Sequence, residues 1–104
     1  MKKVIDGKRY DTATATGVES WDNGLSRNDF RHCSEELYRT KNGNYFLHGE
    51  GGAMTRWSES NGNTSWGSSG IEALSPADAL SWLESHNMDV PDNCPEISAL
   101  ITEA

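Results

Sequence analysis

The sequence predicts an α+β fold in which a small antiparallel sheet of three to five strands is covered on one face by two or three short helices. Two turn signals, Asp6-Gly7 and Asn42-Gly43, each lie between runs that contain apolar residues, as in β-hairpins. The clearest helix start, at Ser75, comes late in the chain. Hairpins followed by helices are typical of the α+β class, whereas alternating strands and helices are typical of the α/β class.

The chain has 104 residues, four Trp and no internal repeat. This length is close to that of a common single domain, so residues 1–104 are expected to form one domain. The aromatic residues argue against a disordered chain, because disordered chains lack such anchors.

The first element is predicted to be a tight hairpin over residues 4–10. A helix is predicted over residues 11–21, although its threonines and glycine are poor helix formers. Thr16 and Glu19 have the spacing of a capping box, which leaves a later helix start open. Residues 22–29 are rich in turn formers and are predicted to form a loop.

The strongest strand signal is a hairpin over residues 30–48. The dipeptide Asn42-Gly43 predicts a two-residue type I′ turn, because both of its positions accept positive φ. That turn pairs Arg39 with Phe46. Aromatic or aliphatic residues occur on both faces of the hairpin, so we expect one covered face and one partly covered face.

The segment after this hairpin is poor in apolar residues. Residues 49–52 are predicted to form a loop or an irregular edge, residues 53–58 a short strand, and residues 58–70 a polar loop. Residues 71–74 are predicted to form the last strand.

Two helices are predicted near the C-terminus. Ser75 is a good N-cap and Pro76 suits the first helical position, so one helix should run to about residues 86–87. A second, short helix should begin near Pro95. Its buried stripe is predicted to consist of Ile97, Leu100 and Ile101.

The distribution of charge is the most informative feature for function. The first 56 residues contain nine Lys and Arg against eight Asp and Glu, a net charge of +1. The last 48 contain eight carboxylates and no Lys or Arg, so their charge of −8 completes the total of −7. Such a split gives a directed field that acts on a charged partner before contact.

We therefore predict a partner-binding surface made from the late carboxylates, although an acidic surface also serves solubility alone. The residues in this prediction are Glu72, Asp78, Glu84, Asp89, Asp92, Glu96 and Glu103.

Several classes of partner and compartment are disfavoured. The acidic balance argues against direct binding of nucleic acid, which requires Lys and Arg, but it permits binding to a basic nucleic-acid-binding protein. The chain shows no signal-peptide core and no apolar run of membrane-spanning length, so we expect a cytoplasmic protein with no membrane partner. In that compartment Cys33 and Cys94 are expected to be free thiols.

Catalytic and metal-binding motifs are incomplete. His48 and Glu50 match the His-x-Glu half of zinc deaminases, which makes a small metal-dependent enzyme an alternative, but the Pro-Cys-x-x-Cys half is missing. A second possibility is a zinc site with two His and two Cys ligands: His32, Cys33, His48 and Cys94. These four residues lack the paired spacing that is usual in structural zinc sites. We therefore predict no catalytic residues, no metal and no cofactor.

Trp57 and Trp66 flank the polar loop over residues 58–70. Exposed tryptophans in such a place could stack on sugars or bases. We expect instead that both pack under the loop, with Trp66 as its anchor.

Three segments carry a resemblance to known proteins: KVIDGKRYDT at residues 3–12, FRHCSEELYRTKNGNYFLHGEGG at 30–52 and NTSWG at 63–67. The sequence to about residue 86 resembles an uncharacterised family of small proteins from bacterial chromosomes, phages and mobile elements. Small acidic proteins of such elements include anti-CRISPR inhibitors, many of which present carboxylates where DNA phosphates would sit. The resemblance provides no binding residues.

Together, charge and resemblance predict a non-enzymatic acidic binding protein, an anti-CRISPR inhibitor that mimics DNA on a Cas effector complex. An alternative is a structural or regulatory module, such as an antitoxin-like partner or a homodimer joined through a sheet edge.

Overall fold

The computed structural model describes residues 1–104 and has an α+β architecture, as predicted. Four strands form an antiparallel sheet in the order β3-β4-β5-β8, and two further pairs, β1-β2 and β6-β7, form separate hairpins. The strands are β1 (Lys2–Ile5), β2 (Lys8–Asp11), β3 (Thr16–Asp22), β4 (Cys33–Arg39), β5 (Tyr45–Gly51), β6 (Glu59–Ser60), β7 (Ser65–Trp66) and β8 (Ser68–Leu74). The helices are α1 (Pro76–Ser85) and α2 (Pro95–Ser98).

The main core lies between the four-stranded sheet and the helices. Alternate residues of a strand point to opposite faces, so Tyr45 and Leu47 face the helices and Phe46 faces away. The nine buried residues of this core are Leu37, Tyr45, Leu47, Trp57, Ala79, Trp82, Leu83, Cys94 and Ile97.

One buried carboxylate, Glu35, contacts two tryptophans of this core. Glu35 is only 6% exposed and accepts hydrogen bonds from two indole nitrogens, Nε1 of Trp57 at 2.8 Å and Nε1 of Trp82 at 2.9 Å. Nη1 of Arg56 lies 3.8 Å from the same carboxylate. Partners of this kind are what a buried charge requires, and they join β4, α1 and the segment after β5.

The opposite face of the sheet is covered in part by the β1-β2 hairpin. Tyr10 packs edge-on against Phe46 with ring centroids 5.4 Å apart, and Tyr38 stacks on Phe46 at 5.1 Å. Together with Ile71, Tyr10 and Phe46 form a second, smaller core. The hairpin and the helices therefore lie on opposite sides of one sheet.

The predicted helix over residues 11–21 is wrong. A turn region follows β2, and β3 then pairs with β4 as an edge strand, with a register shift between Gly17 and Glu19. Thr16 and Val18 are β-branched and favour an extended chain, whereas Gly17 is a poor helix former. The half-buried side chains of Val18 and Trp21 pack on the main core, and this burial decides the conformation.

The hairpin predicted over residues 30–48 is confirmed as β4 and β5, but its predicted register is wrong by one residue. Arg39 pairs with Tyr45 instead of Phe46. The loop contains three residues, 41–43, and Gly43 has a φ of +82°. A type I turn that ends in a left-handed glycine explains this loop better than the predicted type I′ turn.

The segment between β5 and β8 differs from the prediction. Residues 49–52 were expected to form a loop or an irregular edge, but β5, an inner strand of the sheet, continues to Gly51. The reason is pairing on both sides, because Gly51 pairs with Cys33 of β4 and with Ser68 of β8. Within this strand Gly49 lies against Trp57, where a Cβ would be 2.0 Å from the indole ring. Residues 53–58 form turns instead of a strand, and residues 58–70 contain the β6-β7 hairpin and the start of β8.

The C-terminal helices follow the sequence in part. Ser75 Oγ accepts a hydrogen bond from the amide of Asp78 at 3.1 Å, so the predicted cap of α1 is confirmed. The predicted stripe of α2 is confirmed at Ile97, which is fully buried, but is wrong at Leu100 and Ile101, because the helix ends at Ser98 and leaves both about half exposed. Neither helix has the length and apolar character needed to cross a bilayer.

Candidate functional site

The seven late carboxylates of the predicted partner-binding surface follow the chain from the last strand to the C-terminus. Glu72 lies on β8, Asp78 and Glu84 lie on α1, and Glu96 lies on α2. The other three lie outside regular elements: Asp89, Asp92 and Glu103. Two of the seven are engaged by arginines of the first half of the chain.

Glu96 is bound by Arg39 of β4 through two hydrogen bonds. Nε of Arg39 lies 2.9 Å from Oε1 of Glu96, and Nη2 lies 2.6 Å from Oε2. The hydroxyl of Tyr45 donates to Oε1 at 2.8 Å. The Arg39 hydrogen bonds, followed by that of Tyr45, lower the pKa of Glu96 from 4.5 to about 2. This carboxylate therefore connects α2 to the sheet.

Glu72 is paired with Arg56, whose guanidinium also lies 4.7 Å above the ring of Trp57. The same guanidinium approaches the buried Glu35. The charge of Glu72 is therefore compensated within the molecule.

The remaining five late carboxylates are exposed and take part in no ion pair. We refer to them as the free acidic set: Asp78, Glu84, Asp89, Asp92 and Glu103. Asp78 lies in the first turn of α1, where the helix dipole favours a negative charge. Glu84 lies near the other end of α1, so the helix holds these two charges at a fixed separation.

The cations without an ion pair lie elsewhere. Four of the nine Lys and Arg residues are paired with carboxylates. The other five are exposed. Four of these lie on the β1-β2 hairpin, namely Lys2, Lys3, Lys8 and Arg9, and the fifth, Lys41, lies in the β4-β5 loop. Because that hairpin and helix α1 lie on opposite sides of the sheet, the four hairpin cations are separated from Asp78 and Glu84 across the molecule.

The residues of the alternative metal site do not come together. His48 lies on the face of β5 turned away from the helices, whereas Cys94 is fully buried in the core on the helical side. Glu50 is hydrogen-bonded to Arg27 at 3.2 Å. No group of three or more His, Cys, Asp and Glu side chains is placed to hold a metal ion.

Both cysteines are free thiols. Burial raises the pKa of the Cys33 thiol and of the Cys94 thiol, which favours the unreactive protonated form. Cys94 belongs to the main core and Cys33 packs against it, so both thiols contribute to packing.

Sequence reasoning missed two features of this surface. The first is the pairing of two late carboxylates with arginines. Glu72 pairs with Arg56, 16 positions earlier in the chain, and Glu96 pairs with Arg39, 57 positions earlier, so no local pattern indicates either pair. The cationic hairpin could have been found, because Lys2, Lys3, Lys8 and Arg9 flank its predicted turn. No family model, curated protein or solved structure matches this chain.

Proposed function

We propose that this protein is a non-enzymatic inhibitor that occupies a basic nucleic-acid-binding surface of another protein. The specific form of the proposal is an anti-CRISPR protein that mimics DNA on a Cas effector complex in the cytoplasm. The observation that carries it is the free acidic set: five exposed carboxylates without an ion-pair partner, of which Asp78 and Glu84 lie on the side of the sheet opposite the cationic β1-β2 hairpin.

The charge separation supports this proposal physically. A basic groove attracts the acidic side and repels the cationic hairpin, so the molecule approaches in one orientation. Duplex DNA carries one charge per about 1.7 Å of its axis. Five carboxylates therefore replace only a short stretch of phosphates, and we expect a local block of the groove rather than a mimic of its full length.

Charge reversal at matched positions tests the proposal. One variant changes three residues of the free acidic set to Lys: Asp78, Glu84 and Asp92. The control variant changes three carboxylates outside it: Asp6, Asp22 and Glu59. Each reversal adds two positive charges, so both variants carry a net charge of −1 instead of −7.

The assay is capture from lysate of a CRISPR-bearing host at low salt, with duplex DNA as competitor. We expect the wild type to capture a basic DNA-binding complex that DNA displaces, the control variant to retain this capture, and the first variant to lose it. Equal loss in both variants would contradict the proposal, because net charge alone would then explain binding. His48→Ala should retain capture, whereas its failure would favour the metal-dependent alternative.

A further inference from the structure

A second candidate site lies outside the acidic surface. A cleft of about 600 Å³ opens between the loop that precedes β4, the end of β5 and the connection from β7 to β8. We call it the aromatic cleft, because Phe30 and Trp66 both line it. Its volume falls within the range of small-molecule binding sites.

The two aromatic side chains of this cleft are unusually accessible. Phe30 is 67% exposed and Trp66 is 43% exposed, whereas Trp57 and Trp82 are buried in the main core. Trp66 therefore does not anchor the polar loop, contrary to the sequence-based expectation, although Trp57 is buried as expected. Two exposed rings on one concave surface offer flat apolar faces to a ligand.

The walls of the cleft are held by backbone contacts. The amide of Gly52 donates to the carbonyl of His32 at 2.9 Å, and the amide of Met54 donates to the carbonyl of Phe30 at 2.8 Å. A Cβ on Gly67 would lie 2.6 Å from the carbonyl oxygen of Gly51, so two chain segments approach each other closely at this point. The cleft is therefore formed in advance of any ligand.

The polar lining is rich in hydrogen-bonding groups and poor in uncompensated charge. Arg27 and Glu50 are paired at 3.2 Å, and Asp29 is paired with Arg31 at 3.5 Å. Uncharged donors and acceptors are provided by Asn28, Ser65, Ser68 and Ser69. A phosphate-bearing ligand needs unpaired cations, which this lining lacks, whereas a neutral polyhydroxylated ligand needs these amides and hydroxyls.

His32 adds an unused hydrogen-bonding group to the wall. Its Nδ1 lies 2.9 Å from the carbonyl oxygen of Leu25, and a carbonyl can only accept, so Nδ1 carries a proton. Nε2 is buried without a partner in the protein, and in the neutral ring it is an acceptor.

We propose that the aromatic cleft binds a neutral saccharide. One face of the sugar ring lies against Trp66 and Phe30, and its hydroxyls bond to the surrounding serines, asparagine and paired carboxylates. The proposal is independent of the acidic surface, because the cleft contains none of the free acidic set. Nucleobases also stack on aromatic rings, so the test includes them as a competing outcome.

The test is an NMR titration that follows the indole N–H signals of the four tryptophans. Trp57 and Trp82 donate to the buried Glu35, so their signals report whether the fold is intact. The probes are cellobiose, maltose, lactose and chitobiose, each raised to about 10 mM, where a ligand with a Kd of about 1 mM is about nine-tenths bound. A thymidine oligonucleotide is the nucleobase probe.

We expect at least one disaccharide to shift the Trp66 signal in a saturable way and to leave the Trp57 and Trp82 signals in place. Phe30→Ala should weaken that binding at least about tenfold, and so should Trp66→Ala. Because the Trp66→Ala variant lacks the Trp66 indole signal, its binding is measured from the backbone amide signals of the cleft. Leu100→Ala, an exposed apolar residue outside the cleft, should leave it unchanged.

Two results would overturn the proposal. One is the absence of a saturable shift with all four disaccharides while the Trp57 and Trp82 signals remain native. The other is a shift of Trp66 with the oligonucleotide alone.

Discussion

Arg39 on β4 and Glu96 on α2 are joined by two parallel hydrogen bonds of 2.9 and 2.6 Å, across 57 positions of sequence. Helix α2 has only four residues, and so short a helix is not stable by itself. Its position therefore depends on this pair, on the hydroxyl of Tyr45 and on the buried side chain of Ile97.

Removal of the Glu96 charge should destabilise the protein in a pH-dependent way. The folded-state pKa of Glu96, about 2, is below its ordinary value of 4.5, so its contribution to stability is present above pH 4.5. That contribution is lost as the pH falls towards 2. Urea unfolding should therefore show Glu96→Gln to be less stable than wild type at pH 7, with a difference that shrinks below pH 4.5.

The matched control for this experiment is Glu103→Gln, which changes an exposed carboxylate without an ion pair. Its free energy of unfolding should follow that of the wild type at each pH. If the Glu96→Gln deficit stays constant from pH 7 to pH 2, the pair with Arg39 does not act through charge.

Glu35→Gln should cost about 1–3 kcal/mol of stability. The amide keeps one acceptor oxygen, but its nitrogen cannot accept the second indole N–H, so one buried donor loses its partner. Chemical denaturation at pH 7 measures the loss. The control is Glu59→Gln, at an exposed position of β6, whose free energy of unfolding should remain within about 0.5 kcal/mol of the wild type. An equally small change in Glu35→Gln would mean that the two indole hydrogen bonds contribute little to stability.

Gly49→Ala should destabilise the core by about 1–3 kcal/mol, because the added methyl group would overlap the indole of Trp57. Gly70 provides a matched control on the neighbouring strand. A Cβ there would lie 3.4 Å from the same ring, close to ordinary contact, so Gly70→Ala should cost less than about 0.5 kcal/mol. Thermal melts of both variants measure their melting temperatures, and Gly49→Ala should melt lower than Gly70→Ala. Equal melting temperatures would show that the Trp57 ring moves to accommodate the added methyl group.

Association with the proposed basic partner should be fast and sensitive to salt. The Debye length falls from about 10 Å at 0.1 M to about 3 Å at 1 M salt, so attraction by the free acidic set is largely screened at the higher concentration. Biolayer interferometry should show the association rate falling with salt while the dissociation rate changes little. An association rate that does not depend on salt would show that the acidic side does not guide encounter.

Local signals predicted the parts of the fold that depend on local chemistry. The turn of the first hairpin, the hairpin of β4 and β5, and the cap of α1 at Ser75 all follow from neighbouring residues. The segment that forms β3 was mistaken for a helix because its strand character comes from pairing with β4, which is distant in sequence. The β4-β5 register was missed because one dipeptide fits two turn types of different length.

The candidate site was predictable as composition but not as geometry. The sequence shows which carboxylates lack neighbouring bases. It does not show that Glu72 and Glu96 pair with arginines, because those pairs depend on the tertiary structure. The core role of Glu35 has no local signal, because both indole donors come from elements that the fold brings to it. The exposure of Trp66 was missed for the same reason, since nothing near it indicates whether the loop folds over it.

The pairs Arg39–Glu96 and Arg56–Glu72 each connect the first 56 residues to the last 48. Strand β8 completes the sheet beside β5, and α1 supplies Trp82 and Leu83 to the main core. The acidic half is thus built into the folding unit and is not an appended tail. Grafted alone onto another scaffold, it would bring its charges but neither the arginines nor the sheet that give them their positions.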